Sequence, residues 1–314
     1  MSTTTDRDSS TRKTTDIVGK QTSIADMSPP HTPPLHNLPE EPLATIRPSA
    51  SWRALDLRDL WEYRELLYFL TWRDLKVRYK QTLLGVVWVV LQPLMMTLIF
   101  TVFLGLLVRV PSDGVPYPLF VYAGLLPWTF FSSAVTSGGS SLVSNAHLVT
   151  KVYFPRLVVP MSSVAGRVVD FAIAFVIIIG LMAYYRTAPT WGILMLPPLV
   201  VLGTLLALGC AMLFSALNVK YRDIGILLPV VIQLWMYASP VLYPSRLVFE
   251  RLGRWGWLYS LNPVVGILDG FRASLFGGRF NPFGLGVSVV VTLALLVYSA
   301  FAFRRVEQSF ADVI

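Results

Sequence analysis

Beyond residue 82 the sequence consists mainly of apolar stretches that are long enough to cross a lipid bilayer as helices. Six of them follow one another, at 83–108, 119–135, 165–185, 191–217, 224–242 and 283–303. About 20 apolar residues in a helix span the hydrocarbon core. The stretches are continuously apolar, whereas the strands of a membrane barrel alternate polar and apolar residues. The sequence therefore predicts an all-α integral membrane protein with six transmembrane helices.

Charged residues are concentrated before these stretches. Residues 1–82 contain 12 Lys or Arg and 11 Asp or Glu, whereas the remaining 232 residues contain 14 and 7. Residues 1–50 are rich in Thr, Ser and Pro and poor in aliphatic side chains. Such a segment buries too little apolar surface to offset the entropy lost on ordering. We expect residues 1–50 to form a disordered cytoplasmic tail.

The positions of Lys and Arg indicate how the chain is oriented, because cytoplasmic loops of membrane proteins carry an excess of these residues. They lie before the first span, in the second and fourth connecting loops, and after the last span: Arg73, Lys76, Arg78, Lys80, Lys151, Arg156, Lys220, Arg222, Arg304 and Arg305. This pattern places both termini, including residues 307–314, in the cytoplasm. The net charge of +8 is then a signal of topology, and we expect no nucleic-acid partner.

Residues 51–82 are predicted to contain one amphipathic helix at the membrane interface. Apolar side chains recur at steps of three and four residues and share one face: Leu57, Leu60, Trp61, Tyr68, Trp72, Leu75 and Tyr79. Basic residues lie on the other side. An apolar face with two Trp and a basic rim is typical of a helix that lies in the head-group region. A helix docked on protein is the alternative, and the two are compatible.

The segment 243–282 disagrees with the charge rule. It should lie outside the cell, yet it contains five arginines: Arg246, Arg251, Arg254, Arg272 and Arg279. Its apolar residues would form two short helices separated by Asn262 and Pro263, and neither is long enough to span. We predict a re-entrant or interfacial helix pair between spans five and six that faces the outer leaflet, with arginines at its ends that reach the head-group phosphates.

No constellation of catalytic residues is found in the sequence. The histidines are His31 and His36 in the tail and His147 in an inner loop, and Cys210 lies in an apolar run. A phosphate-binding G-x-x-x-x-G-K-[ST] motif is absent. We expect no enzymatic activity, no metal site and no cofactor bound by this chain.

Five motifs occur in a fixed order within the apolar part of the chain. Residues 72–85 read WRDLKVRYKQTLLG and are followed by Trp88 and by Gln92-Pro93. Next come Pro127-Trp128 with Phe131, KVYFPR at 151–156 with Pro160, NVKYRDI at 218–224, and SPVLYP at 239–244 with Asn262-Pro263. Over residues 55–306 the sequence strongly resembles ABC-2 type permeases that export bacterial polysaccharide, the O-antigen, capsule and teichoic-acid group.

This resemblance implies the permease subunit of an ATP-driven exporter in the bacterial cytoplasmic (inner) membrane. A homodimer would form the pore, and a separate ATP-binding cassette subunit would supply ATP and Mg²⁺. The expected substrate is a lipid-linked glycan such as O-antigen or capsule polysaccharide, and membrane lipids are further partners. An ABC-2 permease for a drug, lipid or antibiotic is the alternative.

The resemblance also implies roles for two segments. Residues 51–82 would contain the gate helix at the cytoplasmic mouth, within which six residues are candidates: Trp72, Arg73, Asp74, Lys76, Arg78 and Tyr79. The ABC-2 transmembrane domain would cover 83–306. Its inner loop at 139–156 would couple to the ATPase through Asn145, His147, Lys151, Phe154, Pro155 and Arg156.

Aromatic side chains are the candidates for the path of the sugar chain, because sugar rings stack on them without fixing the hydroxyl groups. The substrate-lane candidates are Trp88, Phe131, Gln233, Trp235 and Tyr237. Trp near span ends also anchors helices at the membrane interface, and this interpretation is favoured for Trp128. Arg167 and Asp170, one turn apart in the third span, are predicted to form a local ion pair, with a substrate contact as the alternative.

Overall fold

The computed structural model describes residues 61–80, 85–152, 154–188 and 190–307. The predicted tail at 1–50, the predicted helical residues before 61 and most of the C-terminal segment 307–314 lie outside these ranges. Within them the chain forms α-helices joined by short turns and two 3₁₀ segments. The α-helices are α1 Arg64–Lys80, α2 Val87–Phe100, α3 Tyr117–Ser144, α4 Ala146–Lys151, α5 Val158–Tyr184, α6 Leu196–Lys220, α7 Ile224–Tyr237, α8 Ser245–Leu252, α9 Gly256–Ser260, α10 Pro263–Phe276 and α11 Pro282–Glu307.

Five helical segments of the described residues are long and apolar enough to cross a membrane. They are Val87–Leu107, Tyr117–Ser144, Val158–Tyr184, Trp191–Lys220 and Pro282–Glu307. The first of them joins α2 to a π-helical stretch, Thr101–Leu107. These segments overlap five of the six predicted spans, so the chain has the composition of a multi-pass helical membrane protein.

The fifth predicted span, 224–242, forms a shorter helix than expected. Helix α7 contains 14 residues, which corresponds to about 21 Å against a hydrocarbon core of roughly 30 Å. The helix ends because Pro240 and Pro244 follow it, and a proline has no backbone N–H and disfavours helical conformation in the residue before it. The count of six spans therefore stays a prediction.

The second predicted span is longer in the structure than expected from the sequence. The Ser/Gly run at 137–141 was expected to end it at residue 135, yet α3 continues to Ser144. A Cβ at Gly138 would lie 2.5 Å from the Cβ of Ala211, and one at Gly139 would lie 2.7 Å from a methyl group of Leu228. These glycines let α6 and α7 approach α3 closely, and this packing outweighs the low helix propensity of glycine.

Two apolar clusters hold the helices together. The larger one surrounds α3 and takes side chains from α5, α6, α7 and α10. The smaller one joins Leu70 of α1 to Leu142 of α3, Phe154 after α4 and Phe303 of α11. The smaller cluster thus brings the predicted gate helix, the predicted coupling loop and the end of the last helix into one packed unit.

The direction of the helices defines two ends of the bundle. The Asn145 end contains the described residues 145–152 and 154–157 of the α3–α5 connection, the α6–α7 connection 221–223 and the end of α11. The Asp113 end contains 109–116, 185–188 and 277–281. Helix α1 lies at the Asn145 end, where Thr71 donates a hydrogen bond to the carbonyl of Ser162.

Helix α10 is an internal helix near the Asp113 end. Twelve of its 14 residues are buried. It begins where the Asn262 side chain caps the N–H of Val264, and it ends at Gly277, whose φ of 77° is left-handed. Ile267 lies against Gly203 of α6, and Ser274 lies against Gly192 closer to the end of the bundle. The helix therefore extends from inside the bundle toward the Asp113 end.

Arg272 of α10 does not occupy the position that the sequence predicted. It was expected to reach lipid head groups, but it is 7% exposed. Its two Nη atoms donate to the carbonyls of Pro240 (2.5 Å) and Val241 (2.6 Å), and its guanidinium lies 3.9 Å from the ring centre of Phe120. The prediction is wrong because the non-helical residues after α7 leave carbonyl groups without helical partners, and the guanidinium satisfies them.

Candidate functional site

Helix α1 docks on the protein through a face that the apolar stripe did not predict. Leu70 is 2% exposed and packs with Tyr63, Leu66 and Leu67 in the smaller cluster. Trp61, Tyr68 and Trp72 of the predicted stripe are exposed, whereas Leu75 is buried. The structure thus shows the docked alternative, and contact of the exposed aromatic side with lipid stays a prediction.

The C-terminal end of α1 is tied to α5 through the carboxylate of Asp170. Arg78 Nη1 lies 2.5 Å and Arg167 Nη1 3.2 Å from Asp170 Oδ2, and the Tyr79 hydroxyl donates to Oδ1. The predicted ion pair between Arg167 and Asp170 is confirmed, but its extension to the gate helix was not foreseen. Burial and the hydrogen bond to Asp170 raise the pKa of Tyr79, so its hydroxyl stays protonated and can donate.

Ser137 of α3 completes this polar cluster. Its hydroxyl oxygen accepts from Arg167 Nη2 at 2.5 Å and from Nε at 3.1 Å. The cluster contains two guanidinium groups and one carboxylate, and all three side chains are between 12% and 27% exposed. Among the described residues, the junction of α1, α3 and α5 therefore brings two guanidinium groups, a carboxylate and a hydroxyl together, partly shielded from solvent.

A cavity of about 180 Å³ adjoins the cluster. Its polar wall contains Arg78, Arg167 and Asp170, and its other wall contains Trp88 and Gln92 of α2. The structure thus brings the gate-helix residue Arg78 and the lane candidate Trp88 to one cavity, where an aromatic face and hydrogen-bonding groups lie together.

The predicted gate helix and the predicted coupling loop are in direct contact. Arg73 Nη2 donates to Asn145 Oδ1 at 2.7 Å, and the same nitrogen pairs with Asp74 at 2.8 Å. The Asn145 amide also donates to the carbonyl of Ser141 at 2.9 Å, which fixes its orientation at the end of α3. A charge-assisted hydrogen bond therefore joins the predicted coupling loop to α1.

The other coupling-loop candidates divide into exposed and internal side chains. His147 and Lys151 of α4 are exposed, Pro155 is half-buried, and Phe154 is buried in the smaller cluster. Arg156 Nη1 donates to the carbonyl of Glu307 at 2.7 Å. Its contact with the end of α11 was not predicted. The exposed candidates are accessible at the surface, whereas the others hold the loop against the helical bundle.

Two of the lane candidates lie inside the protomer. Phe131 is 4% exposed and its ring centre lies 5.2 Å from that of Trp235. The Trp235 indole N–H donates to Asn262 Oδ1 at 3.0 Å. Trp88, Gln233 and Tyr237 are exposed. A common path for all five stays a prediction.

Trp128 does not lie at an outer surface of the protein. It was expected to be an interface anchor, but it is 4% exposed and packs with Phe131 at 5.6 Å between ring centres. The prediction is wrong because α3 is surrounded by other helices. Sequence reasoning missed this, since a central helix and a lipid-facing helix are both continuously apolar.

Asn262, which the sequence placed in the fifth motif and at a break between helices, contacts three other groups. Besides capping α10 and accepting from Trp235, it donates to the hydroxyl of Ser239 at 2.9 Å. The signal was present, since Asn followed by Pro is a frequent helix start. This amide links the end of α7 to the start of α10.

Comparison with known proteins supplies the family. The profile of the ABC-2 type transporters matches residues 65–276. The chain is 32% identical, over 82% of its length and 98% of the relative, to the O-antigen export system permease protein RfbA of Myxococcus xanthus. It is 30% identical, over 80% and 95%, to the protein of the same name from Klebsiella pneumoniae, and 22% identical, over 76% and 92%, to the polysialic acid transport protein KpsM of Escherichia coli. The chain belongs to the ABC-2 type transporter family.

Proposed function

We propose that this chain is the permease subunit of an ATP-driven exporter that moves lipid-linked polysaccharide across the bacterial cytoplasmic membrane. The carrying observation is the similarity to the Myxococcus xanthus protein named for O-antigen export, which the chain covers over 98% of its length. The same five motifs that carry the family resemblance lie within the aligned helical core.

The proposed assembly contains two copies of this chain and two copies of a separate ATP-binding cassette subunit, which binds ATP and Mg²⁺. The N- and C-termini lie in the cytoplasm, the chain crosses six times, and α8–α10 form the re-entrant segment. Helix α10 is buried and lies between α6 and α11. This position supports a re-entrant segment that enters the bundle. The Asn145 end then faces the cytoplasm and the ATPase.

Coupling in this proposal begins at α4. The ATPase contacts the exposed His147 and Lys151, and closure of its nucleotide sites displaces the loop. The hydrogen bond between Asn145 and Arg73 carries this displacement to α1. Movement of α1 then changes the cavity beside Arg78 and Trp88, which is the proposed entrance for the sugar chain next to its lipid carrier.

Deletion and complementation test the function. A strain without this chain should accumulate a glycan-bearing lipid on the inner face of the cytoplasmic membrane and lose the surface glycan. The wild-type chain should restore export only when the partner ATPase is intact. Unchanged surface glycan together with sensitivity to a drug would instead favour the alternative ABC-2 permease for drugs, lipids or antibiotics. Purification should also yield a two-plus-two complex, and a monomer that does not bind the ATPase would contradict the assembly.

A further inference from the structure

A large polar cavity opens at the Asp113 end, on the opposite side of the bundle from the predicted gate helix. Its volume is about 760 Å³, within the range of about 300–1,000 Å³ of ligand pockets. The walls come from the 112–115 loop, the start of α8, the second half of α10 and the 278–281 loop. None of these residues belongs to the proposed entrance or to the coupling loop.

The inner wall of the cavity presents a donor and an acceptor one helical turn apart. Arg272 uses both Nη atoms on backbone carbonyls, but its buried Nε has no hydrogen-bond partner among the described residues. Asp269 interacts with the hydroxyl of Ser245, and a carboxylate has about four acceptor positions. A buried N–H without a partner costs free energy, so a shift of the Arg272 side chain that brings Nε to a ligand oxygen would stabilise the site.

The rim of the cavity carries charges of both signs. Arg246 and Glu250 form an exposed ion pair at 2.6 Å, and Asp113 and Arg279 are also exposed. Together with Asp269 and Arg272, the lining contains three basic and three acidic side chains. Its formal charge is therefore balanced, which does not favour a phosphate or another strongly anionic group.

Apolar rings complete the lining. Phe249 and Phe276 are half-buried and contribute to the walls, whereas Phe120 is buried beneath the Arg272 guanidinium. Sugars have apolar C–H faces that pack on such rings and hydroxyl groups that both donate and accept. An adjacent carboxylate and N–H, with aromatic rings beside them, match this combination.

We propose that this cavity binds a short, uncharged segment of the glycan chain as it leaves the permease. In this arrangement one sugar hydroxyl donates to Asp269, and a neighbouring oxygen accepts from Arg272 Nε. The inference rests on the proposed function for the identity of the glycan and on the proposed orientation for the direction of exit. The cavity itself is defined within one protomer.

Labelling of an introduced thiol tests the site directly. The natural Cys210 is buried, so the Ser112→Cys variant places one reactive thiol at the cavity wall. The purified full-length chain in lipid nanodiscs would be labelled with a maleimide in the presence of uncharged hexasaccharides of glucose, mannose or galactose. We expect at least one of them to slow labelling of Ser112→Cys at least about threefold, with no effect on Thr150→Cys at the Asn145 end.

The Asp269→Asn change then tests the assigned acceptor. It is nearly isosteric and retains an oxygen for Ser245, so the fold should persist, as gel filtration and thermal stability would verify. Loss of a hydrogen bond to a charged group should raise the Kd of the protecting sugar roughly tenfold or more. Asp223→Asn, which removes the same charge at the Asn145 end, should leave the Kd unchanged.

Three outcomes would overturn the proposal. The first is that no neutral hexasaccharide protects the thiol at up to about 10 mM, the range of weak binding. The second is protection that Asp269→Asn does not alter, and the third is protection by inorganic phosphate, glucuronate oligomers or anionic lipid alone. If the chain restored glycan export in cells but no sugar protected Ser112→Cys from labelling, the proposed binding site would be wrong and the proposed function would stand. Failure to restore any glycan export would count against the proposed function separately.

Discussion

Gly124 of α3 provides the sharpest test of the buried Arg272 network. A Cβ added at Gly124 would lie 2.3 Å from Arg272 Nη2 and 2.3 Å from the carbonyl oxygen of Val241. Both atoms would have to withdraw to at least 3.0 Å, which separates the guanidinium from the backbone that it stabilises. Overpacking costs about 1–3 kcal/mol, and a lost hydrogen bond to a charged group costs about 1.5–3 kcal/mol more.

We therefore expect Gly124→Ala to destabilise the folded chain by about 2.5–6 kcal/mol. The assay is thermal unfolding of the purified protein in detergent, followed by gel filtration, and the expected fall in midpoint is roughly 10 °C. Gly180→Ala in α5 is the matched control, because no atom lies within 4 Å of its added Cβ, and alanine has the higher helix propensity. Equal midpoints for the two variants would refute the assigned packing of Arg272.

Three further predictions concern the proposed transport cycle. Asn145→Ala should leave ATP turnover of the complex intact but lower export several-fold, because α1 loses its hydrogen bond to the loop; Thr150→Ala is the control, and equal export by both would contradict direct coupling. Asp170→Asn should reduce steady-state glycan export while the complex still assembles, since two guanidinium groups lose the charge of Asp170. Export at the wild-type rate would show that the polar cluster has no role in transport. Tyr237→Ala should slow export without loss of assembly, and an unchanged rate would remove this residue from the lane.

The membrane class, the approximate positions of five long helices and the family were predictable from the sequence. Hydrophobic length predicts a membrane helix regardless of which neighbours it contacts. The same signal cannot separate a central helix from a peripheral one, which is why the burial of Trp128 was missed. It also could not predict that the glycines at 138 and 139 would extend α3 by close packing.

The polar contacts of the candidate site were only partly predictable. The pair Arg167–Asp170 followed from helical spacing, since both residues lie on one element. The contacts Arg73–Asn145, Arg78–Asp170 and Arg156–Glu307 join residues 72 to 151 positions apart, and no local pattern encodes such distances. Arg272 was wrongly expected to contact head groups. Its partners are carbonyl groups of the non-helical residues that follow the end of α7 at Tyr237, and the sequence did not predict that this helix would end there.

The central claim is that this chain exports a lipid-linked glycan using ATP hydrolysed by a separate subunit. The most direct measurement is transport in proteoliposomes that contain the purified chain, the partner ATPase and glycolipid extracted from the deletion strain. The account predicts ATP-dependent movement of the glycan to the opposite face, abolished when either protein is omitted. Movement without the ATPase, or none with both proteins and ATP present, would contradict it.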